Sequence, residues 1–370
     1  MPRKTSQLTA DQKTMEDFFK KNLSKFFPEA KKFKNLEMLR HRTIAREDFI
    51  MQYKLFFVDK NNRIKLKSLR GAARDNNSKY YNQKIITLLW NNNFKKGNYG
   101  VPRPLGYNSY LNQSLYEECP GETLYQCIEK NENLKINFKK SACWLAKLHQ
   151  LKIKRGVRTN SLKKEKIQVE KMDKTFSEIV LRYPPFKINF TEILQKFWEI
   201  EKTCLKSKDF ILIHNDFNPG NIIIGKKKTC CIDFVDSCRF HPLADVGTLL
   251  AYINSPLSPL AYKYKFSSKA IGLFEEIFVR EYCRNLKLDS ENIKKQLALF
   301  KVRALLIMAM HLTKLSLGWG KNNNYKWKDE PITYSNKIKP VKIYDYFNNP
   351  RFIILILHKV KNFLDELGSI

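Results

Sequence analysis

One polar run of eight residues, His214 to Asn221 (HNDFNPGN), restricts the fold of this chain most strongly. Phe210 to Ile213 precede the run and Ile222 to Ile224 follow it, and apolar segments of this length are typical of buried strands. Within the run, Pro219-Gly220 forces a turn. A basic turn then leads to Thr229 to Ile232, a third predicted strand. The polar residues are therefore expected on a loop held between buried strands.

Three oxygen-bearing side chains in and after the run have the spacing that a magnesium-dependent phosphoryl-transfer site needs. Asp216 stands five residues before Asn221, and Asp233 stands twelve residues after Asn221. Phosphoryl transfer requires a protein to hold a metal-bound phosphate and a hydroxyl in line, with their charge neutralised. Carboxylate and amide oxygens are ligands that Mg²⁺ prefers. Asn-Asp and Asn-Pro-Gly are also ordinary turn formers, so the interpretation depends on the three residues occurring together.

The same residues resemble a kinase catalytic loop. HNDFNPGN followed by CCIDFVD is similar to the H-x-D-x-x-x-x-N loop and the I-D-F strand end of the aminoglycoside phosphotransferase and choline kinase-like family. The resemblance implies that Asp216 is the catalytic base and that Asn221 and Asp233 bind Mg²⁺. It implies that His214 belongs to the catalytic loop and, with Asp245 of the HPLAD segment, holds the loop backbone.

The family resemblance continues through most of the chain and implies an α+β, two-lobed protein kinase-like fold. The N-lobe is expected to be small and β-rich, and the C-lobe larger and mainly helical. Leu115 to Leu124 (LYEECPGETL) resembles the hinge between the lobes, where the main-chain carbonyl of Glu117 and the amide of Cys119 would contact the adenine. Ser141 to Gln150 resembles the family's L-A-x-L-H helix, and we expect its His149 to be a packed structural residue.

The family also has a basic residue on an N-lobe strand that contacts the α- and β-phosphates. Tyr53 to Asp59 and Arg63 to Leu69 are predicted strands joined by a turn. Strand alternation puts Lys65 and Lys67 on one face, so only one of them can occupy the phosphate position. Lys67 is favoured, because it follows an apolar residue near the strand's end. A solvated strand edge is the alternative interpretation.

Two departures from the kinase pattern concern the nucleotide end of the site. The first glycine is Gly71, so a phosphate-covering loop near Arg40 to Glu47 would lack the usual glycines. The helix predicted from Lys79 to Trp90 lacks the glutamate that pairs with the strand lysine in kinases. Gln83 or Asn82 is expected to hydrogen-bond the lysine instead, more weakly than an ion pair would.

The 370-residue chain is long enough for two lobes. We predict a basic helical extension over 1–35, a nucleotide-binding N-lobe over 36–118 and a C-lobe over 119–370, with a charged helical insertion at about 151–208. The start is polar and unlike a signal peptide, and the apolar stretches are shorter than the ~20 residues of a membrane helix. The eight cysteines are scattered, which is typical of a reducing cytoplasm.

The net charge of +32 bears on the substrate. It favours contact with an anionic surface or polymer, although a genome biased toward A/T-rich codons also yields many lysines. Summed repulsion disfavours polycationic acceptors. The predicted function is transfer of the γ-phosphate of ATP or GTP to a hydroxyl of a neutral or anionic metabolite, sugar, amino alcohol or antibiotic. The alternatives are a protein or lipid kinase of the same fold, or a degenerate kinase fold that serves as a basic binding module.

Overall fold

The computed structural model describes residues 12–41, 48–74, 78–109, 111–153, 155–159, 190–204, 209–255, 258–316, 356–357 and 359–365. The chain divides into two compact units. The N-terminal unit contains Met1–Gly121 together with Gly225–Val235, and the C-terminal unit contains Glu122–Ile224 together with Asp236–Ile370. The N-terminal unit is rich in strands and the C-terminal unit is mainly helical, which confirms the predicted α+β class.

The N-terminal unit is built on a five-stranded antiparallel sheet of order β1-β2-β3-β6-β5. Its elements in chain order are α1 (Gln12–Phe26), β1 (Ala30–His41), β2 (Asp48–Asp59), β3 (Ile64–Arg74), α2 (Ser78–Leu89), β4 (Tyr99–Gly100), β5 (Pro104–Asn108) and β6 (Gln113–Glu117). The two predicted strands and the predicted helix of this region are therefore present. A wide turn, Trp90–Phe94, follows α2. Most of the loop predicted to cover the phosphates, residues 42–47, lies outside the described residues.

Helix α1 packs against the sheet, whereas the sequence predicts a separate extension over 1–35. Its buried side chains Met15, Phe19 and Leu23 form one apolar face. They belong to one hydrophobic cluster with Leu55 and Phe57 of β2. Burying such a face contributes roughly 1.5–3 kcal/mol for each large side chain. The helix is therefore part of the core of the N-terminal unit.

The C-terminal unit contains small sheets among long helices. Its elements are β7 (Glu122–Thr123), α3 (Leu124–Lys130), α4 (Leu134–His149), α5 (Phe190–Cys204), β8 (Ile211–Ile213), β9 (Ile222–Ile224), β11 (Cys238–Phe240), α6 (Leu243–Asn254), α7 (Pro259–Tyr262), α8 (Ser268–Leu286) and α9 (Ser290–Ser316). Strand β8 pairs with β11 and β7 with β9, both antiparallel. Strand β10 (Thr229–Cys231) belongs to the N-terminal unit and pairs in parallel with β4. The strands predicted around the polar run are present.

One hydrophobic core of the C-terminal unit lies between α5 and α9. Ile193 and Phe197 of α5 share this cluster with Leu305 and Ala309 of α9 and with Val360 near the C-terminus. Of the predicted insertion at 151–208, the described parts are 151–153, 155–159 and α5. No helix in the described part of the chain is both long and apolar enough to cross a bilayer.

Candidate active site

The Asp216 carboxylate is held by two amide side chains of its own loop. Asn221 donates from Nδ2 to Oδ2 of Asp216 at 2.7 Å and to its main-chain oxygen at 3.0 Å. Asn218 donates from Nδ2 to Oδ1 of Asp216 at 2.8 Å, and the side-chain oxygen of Asn218 accepts from the amide of Gly220 in the turn Pro219–Asn221. Both carboxylate oxygens of Asp216 are thus oriented by N–H donors. Because the amide nitrogen of Asn221 faces Asp216, its Oδ1 is the end that remains to bind a cation.

Asp245, at the start of α6, anchors the loop from behind. Its buried carboxylate accepts the main-chain N–H of His214 and that of Asn215, each at 2.7 Å. His149 of α4 lies 3.1 Å from the same carboxylate through Nε2 and 2.7 Å from the hydroxyl of Tyr282 through Nδ1. Burial and the charge of Asp245 raise the pKa of Tyr282. Asp245 therefore binds the loop backbone as predicted, and His149 is a packed residue as predicted.

His214 is buried where the loop leaves β8. Its ring lies edge-on to Trp144 at 6.4 Å between centroids, and Phe217 stacks on Trp144 at 5.8 Å. Its main-chain oxygen accepts from the hydroxyl of Ser237 at 3.2 Å. These contacts give His214 a part in supporting the loop, while a catalytic part for it stays a prediction.

In the N-terminal unit, Asp233 is bound by helix α2. The ammonium of Lys79 lies 3.3 Å from Oδ1 of Asp233, and the main-chain N–H of Phe234 donates to Oδ1 of Asn82 at 2.7 Å. Asp233 has a left-handed backbone with φ of 60°. Its side chain is 44% exposed, whereas that of Lys79 is 6% exposed. The carboxylate of Asp233 thus remains open to solvent although a buried ammonium lies beside it.

The two strand lysines have carboxylate partners of their own. Lys67 lies 3.9 Å from Glu117 and 5.5 Å from the ring of Phe27, which follows α1. Lys65 lies 3.7 Å from Asp59. Both strand lysines are partly exposed. The choice of Lys67 as the phosphate lysine stays a prediction from the sequence.

The predicted hinge follows β6. The amide of Glu117 donates to the carbonyl of Arg103, and the amide of Glu118 donates to the carbonyl of Ser68, both at 2.9 Å. The Cys119 thiol hydrogen-bonds Cys230, and this bond and burial raise the pKa of Cys119. The cysteines whose side chains are described are free thiols. Adenine contact through the Glu117 carbonyl and the Cys119 amide stays a prediction.

Asp236 is exposed, and its main-chain oxygen accepts from Asn215 Nδ2 at 3.1 Å. Two further residues near the site were not identified from the sequence, Asn218 and Lys79. Asn218 stands two residues after Asp216, a spacing typical of side-chain-capped turns. Lys79 gave a weaker signal, because its partner Asp233 is 154 residues away along the chain.

Each of these two clusters, taken by itself, offers an oxygen donor that suits a hard divalent cation. Mg²⁺ is usually bound through one or two carboxylates together with substrate phosphates and water. Asp233 offers a half-exposed carboxylate and Asn221 an amide oxygen oriented by its own N–H bonds. Both are oxygen ligands, so their chemistry suits Mg²⁺ better than a thiolate-seeking metal.

The chain matches one family model and several solved structures. The model of the phosphotransferase enzyme family, APH, matches residues 83–276. An amicoumacin kinase, solved with AMP-PNP, Ca²⁺ and Ami, has a TM-score of 0.60 and 14% identity and covers 97% of this chain and 96% of its own.

Two further solved structures have a similar fold. Plasmodium vivax ethanolamine kinase has a TM-score of 0.54 and 17% identity, and covers 95% of this chain and 89% of its own. Choline kinase from Cryptosporidium parvum has a TM-score of 0.53 and 14% identity, and the match covers 96% of this chain and 97% of the choline kinase chain. No curated protein matches the sequence at a significant level. These structures identify a protein kinase-like fold, and since the family match spans more than half of the chain, the protein belongs to the phosphotransferase enzyme family.

Proposed function

We propose that the protein is a magnesium-dependent kinase that transfers the γ-phosphate of ATP or GTP to a hydroxyl of a small neutral or anionic compound. The observation that carries the proposal is the Asp216 carboxylate, held by Asn218 and Asn221 on a loop anchored to Asp245. A general base accepts the proton of the acceptor hydroxyl from a fixed direction, and a carboxylate oriented in this way is suited to that. The structural neighbours are named as kinases of amicoumacin, ethanolamine and choline, which supports a small acceptor.

The chain's own residues have distinct parts in this reaction. Asp216 accepts the proton of the acceptor hydroxyl as the hydroxyl oxygen forms its bond to phosphorus and the nucleotide diphosphate leaves. Asn221 and Asp233 bind Mg²⁺, which when bound offsets the charge of the phosphate oxygens. The main chain at Glu117 and Cys119 contacts the adenine. Asp245 acts through the loop backbone and keeps Asp216 in place.

The net charge supports the choice of acceptor. The chain has 68 lysines and arginines against 36 aspartates and glutamates. A field of that sign attracts anions and repels polycations, most strongly at low ionic strength. We therefore expect sugars, nucleosides and phosphorylated head groups to be better acceptors than aminoglycosides.

A screen of hydroxyl compounds tests the proposal. The protein is incubated with Mg²⁺ and ATP or GTP, release of nucleoside diphosphate is measured, and the phosphorylated product is identified by mass spectrometry. We expect turnover with at least one neutral or anionic acceptor and very little with polycationic aminoglycosides. Transfer to protein or lipid acceptors alone would favour the alternative kinase class, and an absence of nucleotide binding would remove the proposal.

A further inference from the structure

The nucleotide end of this site differs from the kinase pattern. Kinases place a lysine on the strand β3 and a glutamate on the following helix, and the glutamate holds the lysine. Helix α2 has no acidic residue, since none occurs between Asp75 and Glu117. A strand lysine in this chain would therefore lack its helical partner. The positive charge for the phosphates and the support for the metal carboxylate must come from other residues.

Lys79, in the first turn of α2, is directed at the predicted metal carboxylate. Its ammonium donates to Asp233 at 3.3 Å, and its side chain is only 6% exposed. Lysine is rarely buried to that degree unless it is paired, because an unpaired buried ammonium is costly. The ammonium has three N–H donors. It can therefore bind Asp233 and still contact an anion.

Asn82 lies three residues later on the same face of the helix and holds the main chain next to Asp233. It accepts the Phe234 N–H at 2.7 Å and donates from Nδ2 to the hydroxyl of Ser114 at 3.3 Å. That hydroxyl donates to Oε1 of Gln83 at 2.6 Å. The amide of Asn82 is thus oriented from both sides.

The backbone at Asp233 needs such a restraint. Its φ of 60° lies in the left-handed region, which is unfavourable for a residue with a side chain unless neighbouring contacts compensate. The bond from Phe234 to Asn82 fixes the next peptide, so the direction of the Asp233 carboxylate depends on α2.

Three basic residues of β3 are bound to other carboxylates. Lys67 contacts Glu117, and Lys65 contacts Asp59. The guanidinium of Arg70 donates from Nε to Glu118 at 2.8 Å. Mg²⁺ held by a carboxylate also binds the nucleotide phosphates. A cation 3.3 Å from Asp233 is therefore better placed for those phosphates than cations paired elsewhere on the sheet.

We propose that α2 supplies both the positive charge for the nucleotide phosphates and the support for the metal carboxylate, two functions that kinases divide between a strand and a helix. Lys79 provides the positive charge for the nucleotide phosphates, and Asn82 positions Asp233 by holding the main chain at Phe234. The inference rests on the proposed function, because it assigns these residues to nucleotide binding. In this proposal Lys79, and not Lys67, is the lysine that contacts the nucleotide phosphates.

Binding of ATP and adenosine to variants of the intact protein tests Lys79. The variants are Lys79→Met, Lys79→Arg, Lys67→Met and, as a matched control, Lys84→Met, which removes an exposed lysine of the same helix. Dissociation constants are measured by calorimetry with and without Mg²⁺. We expect Lys79→Met to weaken Mg²⁺-ATP binding at least tenfold and to leave adenosine binding unchanged, because adenosine carries no phosphate. Lys79→Arg, Lys67→Met and Lys84→Met should remain within about threefold of wild type.

The outcomes separate the inference from the proposed function. If wild type binds neither Mg²⁺-ATP nor Mg²⁺-GTP, the proposed function is wrong. If wild type binds and Lys79→Met binds equally well, or if Lys67→Met is the variant that loses ATP, the assignment of Lys79 is overturned. A general loss of structure would lower adenosine and ATP affinity together. Should Lys79→Met not fold, Lys79→Gln, which keeps a polar end without the charge, is measured in its place.

A second pair of variants tests Asn82. Asn82→Leu removes the acceptor of the Phe234 N–H at similar volume, and Thr87→Val removes a hydroxyl that donates to the carbonyl of Gln83 within α2. The measurement is the Mg²⁺ concentration that gives half of the ATP-induced rise in melting temperature. We expect Asn82→Leu to raise it severalfold, with adenosine binding kept, and Thr87→Val to leave it unchanged. Equal Mg²⁺ dependence in the two variants would contradict a positioning role for Asn82.

Discussion

At the scale of single residues, His241 makes the free energy of unfolding depend on pH. It is buried just before α6 and stacks on Phe300 at 4.7 Å between ring centroids. Its Nδ1 lies 3.3 Å from the main-chain N–H of Leu243, an arrangement that suits a neutral ring. Burial lowers the pKa of His241 from 6.5 to about 4. The unfolded chain therefore binds a proton below pH 6.5 that the folded chain excludes.

This difference predicts a loss of stability in acid. As pH falls from 6.5 to 4, His241 should lower the free energy of unfolding by up to about 3 kcal/mol. His241→Gln, which cannot titrate, should lose less over that range. Chemical denaturation at several pH values measures the gap between the two proteins. A gap that stays constant from pH 7 to pH 4 would contradict the lowered pKa.

Residues that act within a few positions of each other could be predicted from the sequence. The contact of Asp216 with Asn221 joins two positions of one motif, five residues apart. The contact of Asp245 with the loop backbone was predicted from the family resemblance instead, since it spans 31 residues. The contact between Lys79 and Asp233 could not, because it joins residues 154 positions apart. Strand alternation predicted which face of β3 carries Lys67, but it did not predict which side chains lie against that face.

At the scale of elements, Gly247 sets the distance between α6 and α9. A Cβ at this position would lie 2.6 Å from the main-chain carbonyl of Phe300, which is closer than atoms can approach. Gly247→Ala must therefore push the helices apart and should cost about 1–3 kcal/mol of unfolding free energy. Gly272 in α8 has open space around the same position, so Gly272→Ala should be neutral or stabilising by up to about 1 kcal/mol. Denaturant titration of both variants checks the contrast, and equal effects would contradict it.

A buried ion pair joins α5 to α9. The guanidinium of Arg303 lies 2.6 Å from the carboxylate of Glu201, whose side chain is 3% exposed. Burial raises the pKa of Glu201 to about 7 and lowers that of Arg303 to about 10, so each ion depends on the other.

Arg303→Met should cost about 3–5 kcal/mol of unfolding free energy, because it leaves the Glu201 carboxylate without this partner. Adding Glu201→Gln should recover part of the loss. Arg280→Met, which removes an exposed partner of Glu276, is the control and should cost about 1 kcal/mol or less. If Arg303→Met costs no more than that control in thermal or denaturant unfolding, the pair is not a structural requirement.

Element boundaries near the loop were predicted well, because short apolar runs there are bounded by residues that must turn. The packing of α1 against the sheet was not predicted from the sequence. An apolar helix face shows that the helix is covered, yet the sequence does not identify the sheet that covers it. The ring of Phe19 meets the ring of Tyr53 in β2 at 5.5 Å between centroids, although the two residues are more than thirty positions apart.

At the scale of the whole molecule, the chain has a fold shared with kinases of small compounds and an unusual excess of positive charge. The α+β fold was predicted from the family resemblance of the catalytic-loop motif and its neighbouring segments. The acceptor does not follow from it, because one fold serves many substrates. We propose that the net positive charge restricts the class of acceptor, an effect that salt weakens by screening.

The central claim is that Asp216 acts in phosphoryl transfer, and one comparison tests it most directly. Wild type, Asp216→Asn and Glu276→Gln, an exposed control, are assayed for transfer of γ-phosphate to the best acceptor with Mg²⁺-ATP, and for stabilisation by Mg²⁺-ATP. We predict that Asp216→Asn loses about 10²- to 10⁴-fold in turnover. It should keep the nucleotide-induced stabilisation, about 2.7 kcal/mol at one hundred times the dissociation constant. Turnover by Asp216→Asn at the rate of wild type and Glu276→Gln would contradict the account.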